Sequence, residues 1–92
     1  MTTKVFSIKD SKAGIFMPPF LQNSHGEAER TFNKYTHKSD SMISQYPDDY
    51  DLYFMGDFDD NTGKFDLLPA PQHIVNAAQI KTKRNEAAAL NS

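Results

Sequence analysis

Positive side chains and aromatic rings are the residue types in this sequence whose spacing could do chemistry together. Lys4, Lys9 and Lys12 lie near the start, Arg30, Lys34 and Lys38 recur every four residues, and Lys81, Lys83 and Arg84 lie near the end. Cations held along ordered elements can follow a phosphate backbone and release its counterions. Phe16, Phe20 and Tyr35, with Tyr46 beside them, could supply flat faces on which unpaired bases stack. The two sets describe a nucleic-acid interface, provided the fold gathers them onto one surface.

Other chemistries find less material. His25, His37 and His73 are far apart, and there is no cysteine. A zinc site or a nucleophile–base pair needs convergent ligands, and this spacing proposes none. Asp57, Asp59 and Asn61 alternate like the opening of a calcium loop. Thr62, however, stands where that loop needs glycine, and Leu68 where it needs a bidentate glutamate. A turn between two strands explains the same residues. Asp48 and Asp49 would act as a carboxylate pair only in a sugar-sized cleft, and the glycines are scattered singly rather than gathered into a phosphate loop. The expectation is a protein that acts by binding, not an enzyme, with no metal and no cofactor.

The net charge of −2 conceals a segregation. Residues 1–38 hold six Lys/Arg against three acids, residues 39–68 one Lys against eight Asp, and residues 69–92 three Lys/Arg against one Glu. A surface so divided can guide a partner without the whole protein being basic. The lack of cysteine and of any long apolar run argues for a reducing, cytosolic setting with no membrane span.

The elements that must position these residues follow from pattern. Thr2–Asp10 is a β-rich run, with Phe6 and Ile8, or else Val5 alone, turned to the core. Asp10–Gly14 is a turn. Ile15–Asn23 is apolar but contains Pro18-Pro19, so an extended, irregular course anchored by Phe16, Phe20 and Leu21 is expected. Ser24 and Glu27 have the spacing of a capping box. The helix that follows runs to about His37, with Ala28, Thr31, Phe32 and Tyr35 as its apolar stripe and Arg30, Lys34 and Lys38 on another face. A short helical turn precedes Pro47.

Tyr50–Asp59 is the clearest strand, with Leu52, Phe54 and Phe58 on one face and Tyr53 and Met55 on the other. Asp59–Gly63 has turn chemistry, and Lys64–Leu68 returns to complete a hairpin. Pro69 and Pro71 break that strand, and Gln72–Lys81 is either a short helix, with Ile74, Val75 and Ala78 inward, or an added strand. The predicted fold class is α+β: a small antiparallel sheet of N-terminal strand plus hairpin, one amphipathic helix packed on it, and a short C-terminal helix. Residues 1–81 form the single domain and 82–92 a tail.

Three stretches in order, VFSIKDSKAGIFMPPF, SHGEAERTF and YPDDYDLYFMGDFDDNTGKFDLLPAPQHIVNAA, together resemble the small non-structural protein of gokushoviruses, tailless single-stranded DNA phages of the microvirus group. The likeness spans roughly residues 4–80. That protein is often labelled DNA-binding. The resemblance implies a non-capsid protein of the bacterial cytoplasm, active in replication or packaging of a circular single-stranded genome. It transfers no catalytic or binding residues, so the cations and rings named above remain a reading of this sequence. Single-stranded DNA is the expected partner, together with a second copy in a homo-oligomer, most simply a dimer. The alternative is a protein–protein adaptor that links phage replication and capsid proteins and presents acidic residues 40–66 to a basic surface.

Overall fold

The computed structural model describes residues 1–81. Its axis is β1 (Thr2–Asp10), whose alternation puts Phe6 and Ile8 on one face and Val5 and Ser7 on the other; all four are buried. Phe6 and Ile8 are the pair that faces the hydrophobic core, the first of the two orientations left open by the sequence, while Val5 and Ser7 are buried on the opposite face of this central strand. Along one edge it pairs antiparallel with β4 (Tyr50–Asp59). The other edge is shared by β2 (Ile15–Phe16), opposite Lys9 and Asp10, and β3 (Phe20–Gln22), opposite Lys4 to Phe6. Pro18 and Pro19 lie between these two short strands. Proline has no N–H to give to a ladder, so the edge breaks there into two pieces. β5 (Lys64–Asn76) pairs with β4 and completes a five-stranded antiparallel sheet.

The helix α1 (His25–Thr36) starts where its capping residues require. Ser24 is extended, and its Oγ accepts the Glu27 N–H at 3.2 Å. The Glu27 carboxylate accepts the Asn23 N–H at 3.1 Å, one residue earlier than a standard capping box. Glu27 in the first turn and Lys34 in the last complement the helix dipole. The buried row is Ala28, Phe32 and Thr36 rather than the expected row ending at Tyr35, which is 46% exposed. Thr36 can be buried at little cost because its hydroxyl returns to the Phe32 carbonyl at 2.8 Å. Tyr35 instead keeps its phenol in water.

Phe32 and Ala28 meet Phe6, Ile8, Tyr50 and Leu52 of the sheet, and Ile43 and Ala77 close the ends of that core. Ile43 comes from α2 (Met42–Gln45), after which a single 3-10 turn at Pro47–Asp49 leads into β4. Phe20 packs against this core, whereas Phe16 and Leu21, expected to anchor the Pro-rich segment with it, are 39% and 45% exposed. Burial of one ring the size of Phe32 is worth about 2–3 kcal/mol.

A bulge changes which face the end of β4 presents. Phe6 pairs with Phe54 but Val5 pairs with Gly56, so Met55 is an extra residue. Past it the alternation shifts by one. Phe58 consequently lies on the face opposite Leu52 and Phe54, which corrects the expectation that all three share a face. Gly56 makes the shift possible: its φ is 143°, and a Cβ there would lie 2.4 Å from the Asp66 carbonyl oxygen.

The same region corrects the expected end of β5. Leu67 pairs with Gly56 and Gln72 with Phe54, so residues 68–71, including Pro69 and Pro71, oppose Met55 alone. The prolines interrupt the ladder without ending the strand, which resumes and runs to Asn76. Both options for 72–81 are then realised in turn, strand to Asn76 and helix (α3) over 77–81. Antiparallel sheet, one main helix and a short C-terminal helix make a small α+β fold, as expected. The proposed tail, 82–92, lies outside the described residues.

Candidate nucleic-acid interface

α1 covers only one face of the sheet. The opposite face is built from the alternate residues of each strand, with the small side chain of Ser7 at its centre. Because Ser7 is small and buried, rings from the strands flanking β1 reach each other above it. Phe16 of β2 and Tyr53 of β4 meet edge-to-face with centroids 5.3 Å apart. Tyr53 pairs in register with His73 of β5, and those rings meet edge-to-face at 5.4 Å. Lys9 completes the row, its Nζ 5.5 Å from the Phe16 centroid, within cation–π range. The Ser7 hydroxyl donates to the Met17 carbonyl at 2.7 Å and ties the Pro-rich segment to this surface.

The far end of the row is fixed by polar contacts. His73 Nε2 lies 2.8 Å from Asp51 Oδ1, and the Asn76 amide donates to the same oxygen at 3.0 Å. The His73 side chain remains 47% exposed. Phe16, Tyr53 and His73 thus form a strip of rings spanning four strands, exposed at Phe16 and His73 and half-buried at Tyr53, with Lys9 and the His73-bound Asp51 carboxylate beside it. Flat faces beside a positive charge are what sequence-tolerant binding of unpaired bases requires.

The predicted site residues divide around this strip. Lys9 and Phe16 belong to it, and Lys12 stands exposed in the turn between β1 and β2, where it lines a shallow pocket with Met42, Tyr46 and Tyr50. Lys4 points to the helix side, 3.8 Å from the Asp57 carboxylate and over the Phe54 ring at 5.6 Å. Arg30 and Lys34 are exposed on α1, and Lys38 follows its last turn, so these three lie across the sheet from the strip. Lys81 donates to the Ser44 carbonyl at 2.9 Å and serves to hold α3 against α2. Phe20 is half-buried and stacks on Phe6 at the edge of the core, and Tyr35 is exposed on α1. Lys83 and Arg84 lie outside the described residues. Among the described residues the cations do not form one shared patch: Lys9 lies on the helix-free face, whereas Lys4, Arg30, Lys34 and Lys38 lie on the helix side of the sheet.

Tyr53 and His73 were not singled out for binding by sequence. Alternation in β4 does turn Tyr53 away from Leu52, which was an available signal. His73 carried none, because its place beside Tyr53 depends on the register of a strand that resumes after two prolines. Register places four of the eight Asp of residues 39–68 relative to the strip, and of these Asp51 alone shares its face, opposite Lys9. Asp57, Asp59 and Asp66 fall on the helix side of the sheet by register, and Asp51 is engaged by His73 and Asn76. Among the described residues, no group of three or more His, Cys, Asp or Glu could hold a metal ion, and no helix is long and apolar enough to cross a membrane.

A groove of about 930 Å³ runs between α1 and the end of β5, lined by Arg30, Asn33, Ile74, Val75 and Ile80 among others. It mixes apolar walls with polar rims and brings no set of reactive groups together. A family model described as Phage ORF5 protein matches residues 3–80. No curated protein and no solved structure matches the chain.

Proposed function

Because the chain belongs to the Phage ORF5 protein family, we propose that it is a phage non-structural protein that binds single-stranded DNA during genome replication or packaging, in the cytoplasm of the bacterial host. The observation that carries this reading is the strip of Phe16, Tyr53 and His73 beside Lys9. Bases stack on the rings, each contributing about 1–3 kcal/mol. Lys9 and Lys12 take phosphates along one border, giving affinity without sequence choice. A single strand is preferred because a duplex keeps its base faces stacked on one another and unavailable.

Stacking dominates over charge in this arrangement, which suits a chain of net charge −2. Two phosphate contacts to a single strand predict a salt slope of only about −1.4 in log–log form. The protein acts by binding, without catalysis. A titration of an oligothymidine strand at several salt concentrations tests this: saturable binding with a shallow salt slope is expected. No binding at low salt, or equal affinity for duplex, contradicts it.

The adaptor reading draws support from a different feature, the carboxylates of Asp57, Asp59 and Asp66 on the helix side of the β4–β5 hairpin. Charge reversal at Lys9 and Lys12 separates the two. It removes DNA binding under the first reading and leaves capture of a basic partner intact under the second.

A further inference from the structure

Beyond the aromatic strip, the helix-free face continues toward the β4–β5 turn and changes character. Register places Leu21, Val5, Gly56 and Leu67 in one row across β3, β1, β4 and β5, and Thr3, Phe58 and Phe65 in the next. Phe58 and Phe65 pack together with centroids 4.9 Å apart. Leu21, Phe65 and Leu67 are 45%, 58% and 56% exposed, although Val5 beneath them is 3% exposed. The charged strand residues of this segment, Lys4, Asp57, Asp59, Lys64 and Asp66, fall on the other face of the sheet by the same register, and at its end the Met1 ammonium and the Asp60 carboxylate neutralise each other at 2.8 Å. The result is a neutral apolar surface that no part of the described chain covers.

We propose that this surface docks a second copy of the same chain, face to face about a two-fold axis. A two-fold interface must be complementary to itself. A neutral apolar face meets that condition, because stacking it on its own copy buries no unpaired charge. A nucleic acid needs cations, and the two rows carry none, the nearby Met1 ammonium being paired with Asp60; an acidic or basic peptide would likewise find no counter-charge in them. Thr3 Oγ1, the polar side-chain atom within the two rows, is already buried without a hydrogen-bond partner, so docking strips no further water from it. Two sheets packed in this way lie about 10 Å apart with their inner faces interdigitated.

Area sets the strength. The exposed parts of Leu21, Phe58, Phe65 and Leu67 amount to roughly 400 Å² per copy, about half of what a standard stable interface contributes. The dimer is therefore weak and concentration-dependent. With the axis across the strands, only the hairpin halves overlap along a protomer 49 Å long. The Phe16–Tyr53–His73 strips then stay open at the two ends and point to opposite sides, so one dimer holds two strands or two places on one strand.

Sedimentation equilibrium of the 10.4 kDa chain across the micromolar to millimolar range tests the proposal. Wild-type protein is expected to rise toward twice the monomer mass as concentration increases. F65E combined with L67E, and separately L21K on another strand, are expected to hold the mass at monomer with an unchanged far-ultraviolet circular dichroism spectrum. A wild type that stays monomeric throughout overturns the proposal, as does a mass rise that survives both sets of substitutions. Loss of DNA affinity in these variants with no change in mass would assign the patch to nucleic acid instead, and would overturn the dimer while leaving the DNA reading intact.

Discussion

Phe16 and Tyr53 belong to strands that never pair with each other, yet their rings touch edge-to-face at 5.3 Å. β1 separates the two strands, and Ser7 is the reason the rings can close over it. Alanine at Tyr53 should therefore remove a stacking face from the centre of the strip and reduce affinity for single-stranded DNA by about 5- to 150-fold, corresponding to 1–3 kcal/mol. The same change at Tyr35, on the other side of the sheet, should leave affinity within twofold. Anisotropy titrations of the two variants against wild type check both halves of the prediction.

Gly56 holds the bulge that sets the face of Phe58 and Phe65. Its φ of 143° and the 2.4 Å approach of a Cβ to the Asp66 carbonyl oxygen leave no room for a side chain. Gly56→Ala should lower stability by about 2–4 kcal/mol, combining backbone strain with the shift forced on β5. Urea denaturation reads this as a lower midpoint. A midpoint equal to wild type would mean that the bulge relaxes without cost.

Asp57 and Asp66 stand directly opposite each other across β4 and β5. Like charges so placed repel, and Lys4 at 3.8 Å relieves Asp57 only in part because both partners are exposed to water. Asp66→Lys should raise stability by about 0.5–1 kcal/mol at low salt, with the gain shrinking as salt is added. Lys4→Ala should do the reverse. Thermal melts at two ionic strengths follow both changes.

Tyr50 provides a pH signature of the folded core. Burial, then the negative charge of Asp10 beside it, raises its phenol pKa above the usual value of about 10. The hydroxyl lies 3.4 Å from Asp10 Oδ2, a long contact that adds less. A pKa raised by folding means that the native state holds its proton more tightly than the unfolded chain. The corresponding stability is fully present below pH 10 and is lost as pH rises through the folded value. Wild type should weaken more steeply above pH 10 than Tyr50→Phe, and tyrosinate absorbance should show one phenol titrating late in wild type alone.

Much of this fold was legible in the sequence because its signals are local. Ser24 and Glu27 mark the start of α1, the alternation of Thr2–Asp10 and Tyr50–Asp59 marks the strands, and Asp59–Gly63 marks the turn between β4 and β5. What stayed hidden depends on register. The face of Phe58 turns on a single extra residue, Met55, and the position of His73 on how a strand resumes after Pro69 and Pro71. The four-residue spacing of Arg30, Lys34 and Lys38 identified one exposed edge of a helix. It carried no information about which face of the sheet that helix covers, and so could not show that these cations lie across the sheet from Lys9 and Phe16.

The most direct test of DNA binding by the helix-free face is an amide chemical-shift map recorded while oligothymidine is added to isotope-labelled protein. Shifts concentrated at Ser7, Lys9, Lys12, Phe16, Tyr53 and His73, with Arg30 to Lys38 unmoved, are the predicted result. Shifts concentrated along α1 at Arg30, Lys34 and Lys38, or none at saturating oligonucleotide, would contradict it.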